Sequence, residues 1–380
     1  MTSQEEYIGF DSIRQLGLIL AKLAPKKILL VTGKKSFETS GARKLLSPIL
    51  AGYSIVHFPY NEPNPKVTDI EQGIETFLRE SPDVVLTVGG GSVMDTSKMI
   101  NFFGSNDLKP KNWFDGQIPA DIKKRAALIA VPTTSGSGSE ATHFAALFIG
   151  KEKHSVEHRT MLPDVAIIDP AFSMKLPPYI TASSGMDALT QAIESYWNIR
   201  STEESKLFAS KAIKLIFPNI FRATHHPTPD VRLAMAQGAH WAGKAIRITR
   251  TTAVHAISYP MTSYFGIPHG HAVGLILPAM YHYISGVTET DLADPRGKEY
   301  VIKTLADIAV LLGEKSIETT HQKLSSLLSE IGLETNLKLL GIKSKKEIKT
   351  IVTHGFNPER VKNNPRVLSE EALRQILDHA

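Results

Sequence analysis

The sequence predicts an α/β N-terminal part built on a parallel sheet, over residues 1–180, and an all-helical C-terminal part over 181–380. Three observations predict it. Short aliphatic and β-branched runs alternate with amphipathic stretches in the first half. One of these runs ends in glycine and another is followed at once by three glycines. Beyond Asp169-Pro170, apolar residues recur at helical spacing and strand signals fade. A chain of 380 residues also exceeds one compact core of ordinary size, so two domains are expected.

The elements follow in order. Lys27-Ile28-Leu29-Leu30-Val31-Thr32-Gly33 is the first strand-like run and Ser54-Ile55-Val56-His57-Phe58 the second. Asp83-Val84-Val85-Leu86-Thr87-Val88 is the third, and Ala127-Leu128-Ile129-Ala130-Val131-Pro132 the fourth. Continuous apolar runs of this kind, separated by amphipathic stretches such as Ile70 to Phe77, predict strands buried on both faces. In the second half, Leu207 to Ile216, Leu233 to Ile248 and His321 to Leu328 carry helical periodicity. Ser183 or Ser184 is expected to cap a helix running to Trp197.

Composition excludes several classes. The apolar fraction is 42% and the charged fraction 21%, as in ordinary globular proteins. Net charge is 43 − 38 = +5, and the basic run Lys343 to Lys349 is broken by Ser344 and Glu347, so no nucleic-acid surface is expected. Met1-Thr2-Ser3-Gln4-Glu5-Glu6 lacks the features of a signal peptide. No apolar run approaches the roughly 20 residues of a membrane span. The expectation is a cytoplasmic protein with no membrane partner. There is no cysteine, so any divalent metal must be held by oxygen and nitrogen.

Two loops have the chemistry of anion cradles. Gly89-Gly90-Gly91-Ser92, with Asp95 just beyond, joins the third strand to a helix. Three glycines let backbone approach a ligand, and a helix N-terminus offers N–H groups to a phosphate. This is not the Gly-x-Gly-x-x-Gly pattern, and a tight turn is the plainer alternative. Thr133-Thr134-Ser135-Gly136-Ser137 follows the fourth strand and offers a second wall for a pyrophosphate or ribose. Both loops lie at strand carboxyl ends, where ligands bind in open α/β sheets.

A carboxylate and two imidazoles suggest a metal. Asp187, Gln191 and Glu194 share one helix face at spacings of four and three, so Asp187 and Gln191 reach one ion together. An Asp near a helix start also simply complements the dipole. His255 lies in a helical stretch, and His269 follows Pro268, a suitable first helical residue. One carboxylate and two imidazoles leave an open position, as a catalytic metal needs.

At these residues the chain resembles the iron-containing (group III) alcohol dehydrogenases along essentially its whole length. The resemblance is carried by Pro63-Asn64-Pro65, Gly89-Gly90-Gly91-Ser92 with Asp95, Pro132-Thr133-Thr134, Gly185-Met186-Asp187-Ala188-Leu189 and Pro268-His269-Gly270. It implies a Rossmann-like dinucleotide-binding domain, shared in architecture with dehydroquinate synthase, and a helical domain holding one divalent metal, with the active site in the cleft between them. Carried over, Gly33, Lys34, Asn64, Gly89 to Ser92, Asp95, Thr133, Thr134 and Ser137 belong to the cofactor site. Asp187, His255 and His269 match metal ligands. The family's fourth ligand, a histidine, is here Gln191, which leaves iron, zinc or a similar ion open. Tyr259 stands where many members carry another histidine.

Within the family, Gly243-Lys244-Ala245-Ile246, Thr251 through Tyr259 and Phe265 through Ala272 are similar to phosphonoacetaldehyde reductases. The implied reaction is hydride transfer between a nicotinamide and an aldehyde, most specifically reduction of phosphonoacetaldehyde to 2-hydroxyethylphosphonate. The metal would act as Lewis acid, and His271 or Tyr259 would pass the proton. Lys244, Arg247 and Arg250 fall at i, i+3 and i+6, and Lys244, Thr251 and Thr252 are the expected donors to an anionic substrate. Gly33-Lys34-Lys35-Ser36 presents no carboxylate against a 2′-phosphate, which favours NADP(H) over NAD(H). Two alternatives stay open: a general short-chain alcohol or aldehyde dehydrogenase, and a sugar-phosphate cyclase of the dehydroquinate-synthase type. A homodimer is the expected assembly.

Overall fold

The structure is a computed structural model that describes residues 4–60 and 64–378. Pro63, part of the resemblance above, and Met1, Thr2 and Ser3 of the N-terminal reading lie outside the described residues. The chain divides into two compact units, Met1–Leu176 and Pro177–Ala380.

The first unit contains eight strands among its described residues: β1 (Glu5–Ile8), β2 (Ile28–Gly33), β3 (Ile55–Tyr60), β4 (Val84–Gly89), β5 (Ala127–Pro132), β6 (Phe144–Ile149), β7 (Glu152–Glu157) and β8 (Val165–Ile168). Six form one sheet in the order β1-β8-β5-β4-β2-β3, all parallel. Every residue of β2 and β4 is buried, as expected where both sheet faces are covered. Alternation assigns the faces. Ile28, Leu30, Leu86 and Ile129 pack into one cluster, and Leu29, Val31, Val85 and Leu128 into another.

The four apolar runs are β2 to β5. Four further strands complement them, β1 at the edge, β8 inside the sheet, and β6 and β7 in a separate antiparallel pair. That pair turns on Gly150, at φ +62°, with Ile149 opposite Glu152. From β2 the chain runs outward to β3. From β4 it runs the other way, to β5. The reversal lies between β2 and β4, and the loops after those strands begin at Lys34 and Gly90. A crevice at such a reversal is where open α/β sheets bind ligands.

The second unit is helical among its described residues. Its centre is the helix Pro178–Trp197, which packs against Glu203–Ile216, Pro229–Thr249 and His269–Ser285. The expected start at Ser183 or Ser184 is corrected: both serines lie inside this helix. Pro178 supplies the first-turn proline, following Pro177, so no Ser cap is required. Asp187 is therefore mid-helix and buried, and its dipole-complement explanation falls away. The helix ends at Asn198, whose amide donates to the carbonyls of Thr249 and Arg250, at 3.2 Å each. No helix among the described residues is long and apolar enough to cross a membrane.

Candidate metal centre and phosphate-binding loops

Three helices deliver the three ligand candidates. Asp187 comes from Pro178–Trp197, His255 from Ala253–Phe265, and His269 opens His269–Ser285. Glycine makes the approach possible. A Cβ on Gly270 would stand 1.9 Å from the carbonyl oxygen of Ser183, so the two helices touch backbone to backbone beside Asp187 and His269. One potential ligand atom from each of Asp187, His255 and His269 lies within 4.8 Å of the others. Asp187 Oδ1 is the hub, 3.4 Å from His255 Nε2 and 4.0 Å from His269 Nε2.

The surrounding bonds orient both imidazoles. Glu194, wholly buried two turns after Asp187, takes the Nδ1 of His255 through Oε2. Its Oε1 accepts from Thr252 Oγ1 at 2.6 Å and from the His255 backbone N–H at 3.3 Å. Thr252 in turn accepts from Trp197 Nε1 at 3.1 Å. A carboxylate on Nδ1 directs the Nε2 lone pair of the ring at a metal. Ser258 treats His269 similarly. Its hydroxyl donates to the His255 carbonyl at 2.7 Å and lies 3.2 Å from His269 Nδ1. A hydroxyl has one hydrogen, so toward His269 it accepts, which places the ring proton on Nδ1 and leaves Nε2 unprotonated.

The donor set fits a divalent cation. Gln191 donates its amide to Asp187 Oδ1 at 2.9 Å, while its Oε1 is buried with no hydrogen-bond partner. His255 Nε2 is buried and equally without one. Buried polar atoms of this kind cost free energy unless something pairs with them, and a cation among Asp187, His255 and His269 would do so. Charge balance agrees. Burial disfavours an imidazolium at His255, but the carboxylates of Glu194 and Asp187 outweigh it and hold the ring up to about 9. Burial likewise opposes the Asp187 anion. The His255 ring 3.4 Å away, the charges of His269 and His255, and the Gln191 amide still bring it down to about 2. A proton on His255 thus occupies electrostatically the place of a cation.

The other residues named from sequence are spread around this trio. Tyr259 is beside it, one turn after His255, with its ring 5.9 Å from that of His269. His271 is two residues beyond His269 on one helix, hence on a different face. Both its nitrogens are engaged: Nε2 donates to the Glu334 carbonyl at 2.7 Å, and Nδ1 accepts from Tyr179 at 3.0 Å. Burial, first among the causes, pushes its pKa down, so it is neutral. Thr252 spends its hydroxyl hydrogen on Glu194. Thr251 is buried, and its carbonyl accepts from Asn363 at 3.0 Å. Lys244 lies over the Trp241 and Phe208 rings, at 4.9 and 5.3 Å. Glu194 and Ser258 are contributors whose roles sequence reasoning did not assign. The seven-residue spacing from Asp187 to Glu194 was a signal for the first; nothing flagged the second.

In the first unit the two loops meet. Gly91 opens the helix Gly91–Ser105 after Gly90, and a Cβ on it would lie 2.6 Å from Ser137 Oγ. A Cβ on Gly90 would lie 3.3 Å from Thr134 Oγ1, and one on Gly89 2.6 Å from Val93. Thr133 donates its backbone N–H to Gly89 at 3.0 Å, and its buried hydroxyl has no hydrogen-bond partner. Ser92 Oγ accepts from the Asn64 N–H at 3.3 Å, with Asn64 in the left-handed region at φ +68°. Asp95 holds this corner: its oxygens accept from Ser139 Oγ at 2.5 Å and from the Ala146 N–H at 2.9 Å. At the end of β2, Gly33 has no room for a Cβ, which would sit 2.1 Å from Ser36 Oγ. Lys34 and Lys35 are exposed there.

Residues 3–170 match the family model described as iron-containing alcohol dehydrogenase, and residues 181–380 match that of the family's C-terminal region. A phosphonoacetaldehyde reductase of Streptomyces viridochromogenes is 32% identical over 303 residues, 78% of this chain and 75% of that protein. A long-chain-alcohol dehydrogenase of Geobacillus thermodenitrificans is 28% identical over 387 residues, 98% of this chain and 94% of that protein. Among solved structures, a sulfoacetaldehyde reductase from Bifidobacterium kashiwanohense in complex with NAD+ superposes with a TM-score of 0.88 at 28% identity. The match covers 100% of this chain and 97% of that one.

Proposed function

This chain belongs to the iron-containing alcohol dehydrogenase family and is an oxidoreductase, and we propose that it reduces an anionic aldehyde, phosphonoacetaldehyde, with NADPH. The observation that carries the chemistry is the convergence of Asp187, His255 and His269 within 4.8 Å. Two relatives support the substrate class, since the names of both describe aldehydes with a phosphonate or sulfonate one methylene from the carbonyl.

When bound by these residues, a divalent cation supplies Lewis acidity toward the substrate oxygen, and the dinucleotide supplies the hydride. Glu194 and Ser258 fix the two ring tautomers and so hold both Nε2 atoms ready. Gln191 steadies Asp187 from the same helix face. Tyr259 is assigned the return of a proton to the product alkoxide, a role supported by its ring lying 5.9 Å from that of His269. His271, neutral and held at both nitrogens, braces its helix. In the first unit, Gly89 to Ser92 bring backbone close to a pyrophosphate, with Thr133, Thr134, Ser137 and Asn64 around them. Lys34, Lys35 and Ser36, with no carboxylate among them, favour a 2′-phosphate at the end of β2.

The test is an NADPH-oxidation screen of small aldehydes after reconstitution with Fe, Zn, Mn or Ni. Phosphonoacetaldehyde is expected to give the highest kcat/KM, with loss of turnover and of metal binding together in Asp187→Ala and His269→Ala. Turnover that survives removal of all metal defeats the Lewis-acid role. A strong preference for NADH defeats the assignment of NADPH. Net consumption of NADPH separates this reaction from that of a sugar-phosphate cyclase, which recycles its dinucleotide.

A further inference from the structure

Arg250 has the least ordinary backbone near the ligand trio. It follows the helix Pro229–Thr249 at φ +68°, ψ 179°, a combination almost confined to glycine. Three bonds enforce it. The Arg250 N–H donates to Ile246 at 2.9 Å, and its carbonyl accepts from Thr249 Oγ1 at 2.8 Å and from Asn198 Nδ2 at 3.2 Å. Such over-determined strain gathers where a side chain must be aimed at a ligand.

The aim is set by what lies around it. Five residues on stands His255. Tyr259, whose ring lies against that of His269, and Arg360 both act electrostatically on the Arg250 guanidinium. Arg360 sits in the short helix Pro358–Val361. The next segment is bolted to this corner, because Asn363 donates to the Thr251 carbonyl at 3.0 Å and its own carbonyl accepts from the Ile199 N–H at 3.2 Å. The fold thus keeps the Arg250 and Arg360 guanidinium groups within electrostatic reach of one another and Arg250 within reach of Tyr259, whose ring neighbours a metal-ligand candidate. Burial and the Arg360 charge push the Arg250 pKa down to about 9, the mark of a cation held in a place that disfavours it. An oxyanion between the two groups would reverse that penalty, and a guanidinium fork matches a tetrahedral oxyanion with two parallel bonds.

We propose that Arg250, with Arg360 beside it, receives the anionic end of the substrate, a phosphonate or sulfonate one methylene from the carbonyl carbon. This assigns the role away from Lys244, which lies over Trp241 and Phe208, and from Thr252, which is committed to Glu194. It rests on the proposed aldehyde reduction at this site.

Arg250→Gly is the decisive variant, because glycine adopts this backbone without strain and removes only the side chain. In the metal-reconstituted protein, kcat/KM is measured for phosphonoacetaldehyde, sulfoacetaldehyde and neutral propionaldehyde, together with inhibition of propionaldehyde reduction by methylphosphonate. Loss of about 100-fold for the phosphonate, mainly in KM, is expected from two charge-assisted bonds. A smaller loss for the sulfonate, a propionaldehyde rate within about threefold and a matching rise in the methylphosphonate Ki complete the expected pattern. An unchanged ratio of anionic to neutral substrates, or an equal fall in both, overturns the assignment of Arg250. A wild type without preference for either anionic aldehyde defeats the phosphonoacetaldehyde reading instead. The methylphosphonate Ki then still decides on Arg250: a shift in the variant supports it and none overturns it.

Discussion

Replacing Glu194 by Gln keeps the shape of a wholly buried side chain and removes its charge. In the native arrangement Oε2 takes His255 Nδ1, and Oε1 takes the Thr252 hydroxyl and the His255 N–H. An amide offers one acceptor to these three donors. If its oxygen keeps Thr252 and the backbone N–H, its NH2 confronts Nδ1 and drives the ring proton to Nε2, the atom needed by a metal. Loss of such an orienting partner weakens metal binding by about 10- to 100-fold, or about 1.4–2.8 kcal/mol. A second effect opposes it. The native ring is held up to about 9, so at pH 7 an incoming cation must displace a proton. Without the Glu194 charge that pKa falls, and the competition at pH 7 weakens. The deficit of Glu194→Gln should therefore be small at pH 7 and reach its full size near pH 9. Chelator-stripped protein titrated with Co2+ or Zn2+ against a chromophoric chelator at both pH values measures it, with circular dichroism as the check on folding. A folded variant with native affinity at pH 9, or a deficit that does not grow with pH, refutes the role of Glu194.

Other outcomes follow from the same geometry. Thr252→Val deletes one donor to Glu194 and leaves Trp197 Nε1 without its acceptor, so thermal stability should drop by about 1–3 kcal/mol; native stability would contradict the network. Gly91→Ala sets a Cβ 2.8 Å from Ser137 Cβ, and should raise the Kd for NADPH in a fluorescence titration while leaving metal affinity alone. An unchanged Kd would remove those loops from the cofactor site. In metal-free protein, the contribution of His255 is fully present below its ordinary 6.5 and is lost as pH climbs through about 9. That of Asp187 is present above 3.8 and lost as pH falls through about 2. Scanning calorimetry of the stripped protein should show Tm declining from pH 7 toward 9, and a bound cation should abolish that decline.

The parts legible in the sequence were those with local signals. The runs at 27–33, 54–58, 83–88 and 127–132 are apolar throughout because central parallel strands are buried on both faces. β1 was not legible: Glu5-Glu6-Tyr7-Ile8 is a polar, partly exposed edge that pairs with β8. The β6–β7 pair was readable in retrospect from Gly150-Lys151 between strands of matched length. Ser183 and Ser184 misled because serine caps helices in general, whereas here a buried helix begins at a proline pair. For the ligand trio, residue types and helix placement were readable, but the function of Glu194 depends on packing between Pro178–Trp197 and Ala253–Phe265. Lys244 shows the limit of spacing arguments. Its i, i+3, i+6 series with Arg247 and Arg250 assumes one continuous helix, and the helix ends at Thr249 with Arg250 turned away.

The pairing of β1 with β8 has a bearing on synthesis. Glu5 lies opposite Val165, so β1 leaves the ribosome some 160 residues ahead of β8, its one sheet neighbour among the described residues. β2 meets β3 and β4 much sooner, and the middle of the sheet can assemble while β1 still waits. During that interval Glu5-Glu6-Tyr7-Ile8 is an unpaired strand on a nascent chain. Its two leading carboxylates make it a poor template for association with other chains. The polar character that hid β1 from pattern reading is thus what keeps the growing polypeptide from sticking to its neighbours before β8 arrives.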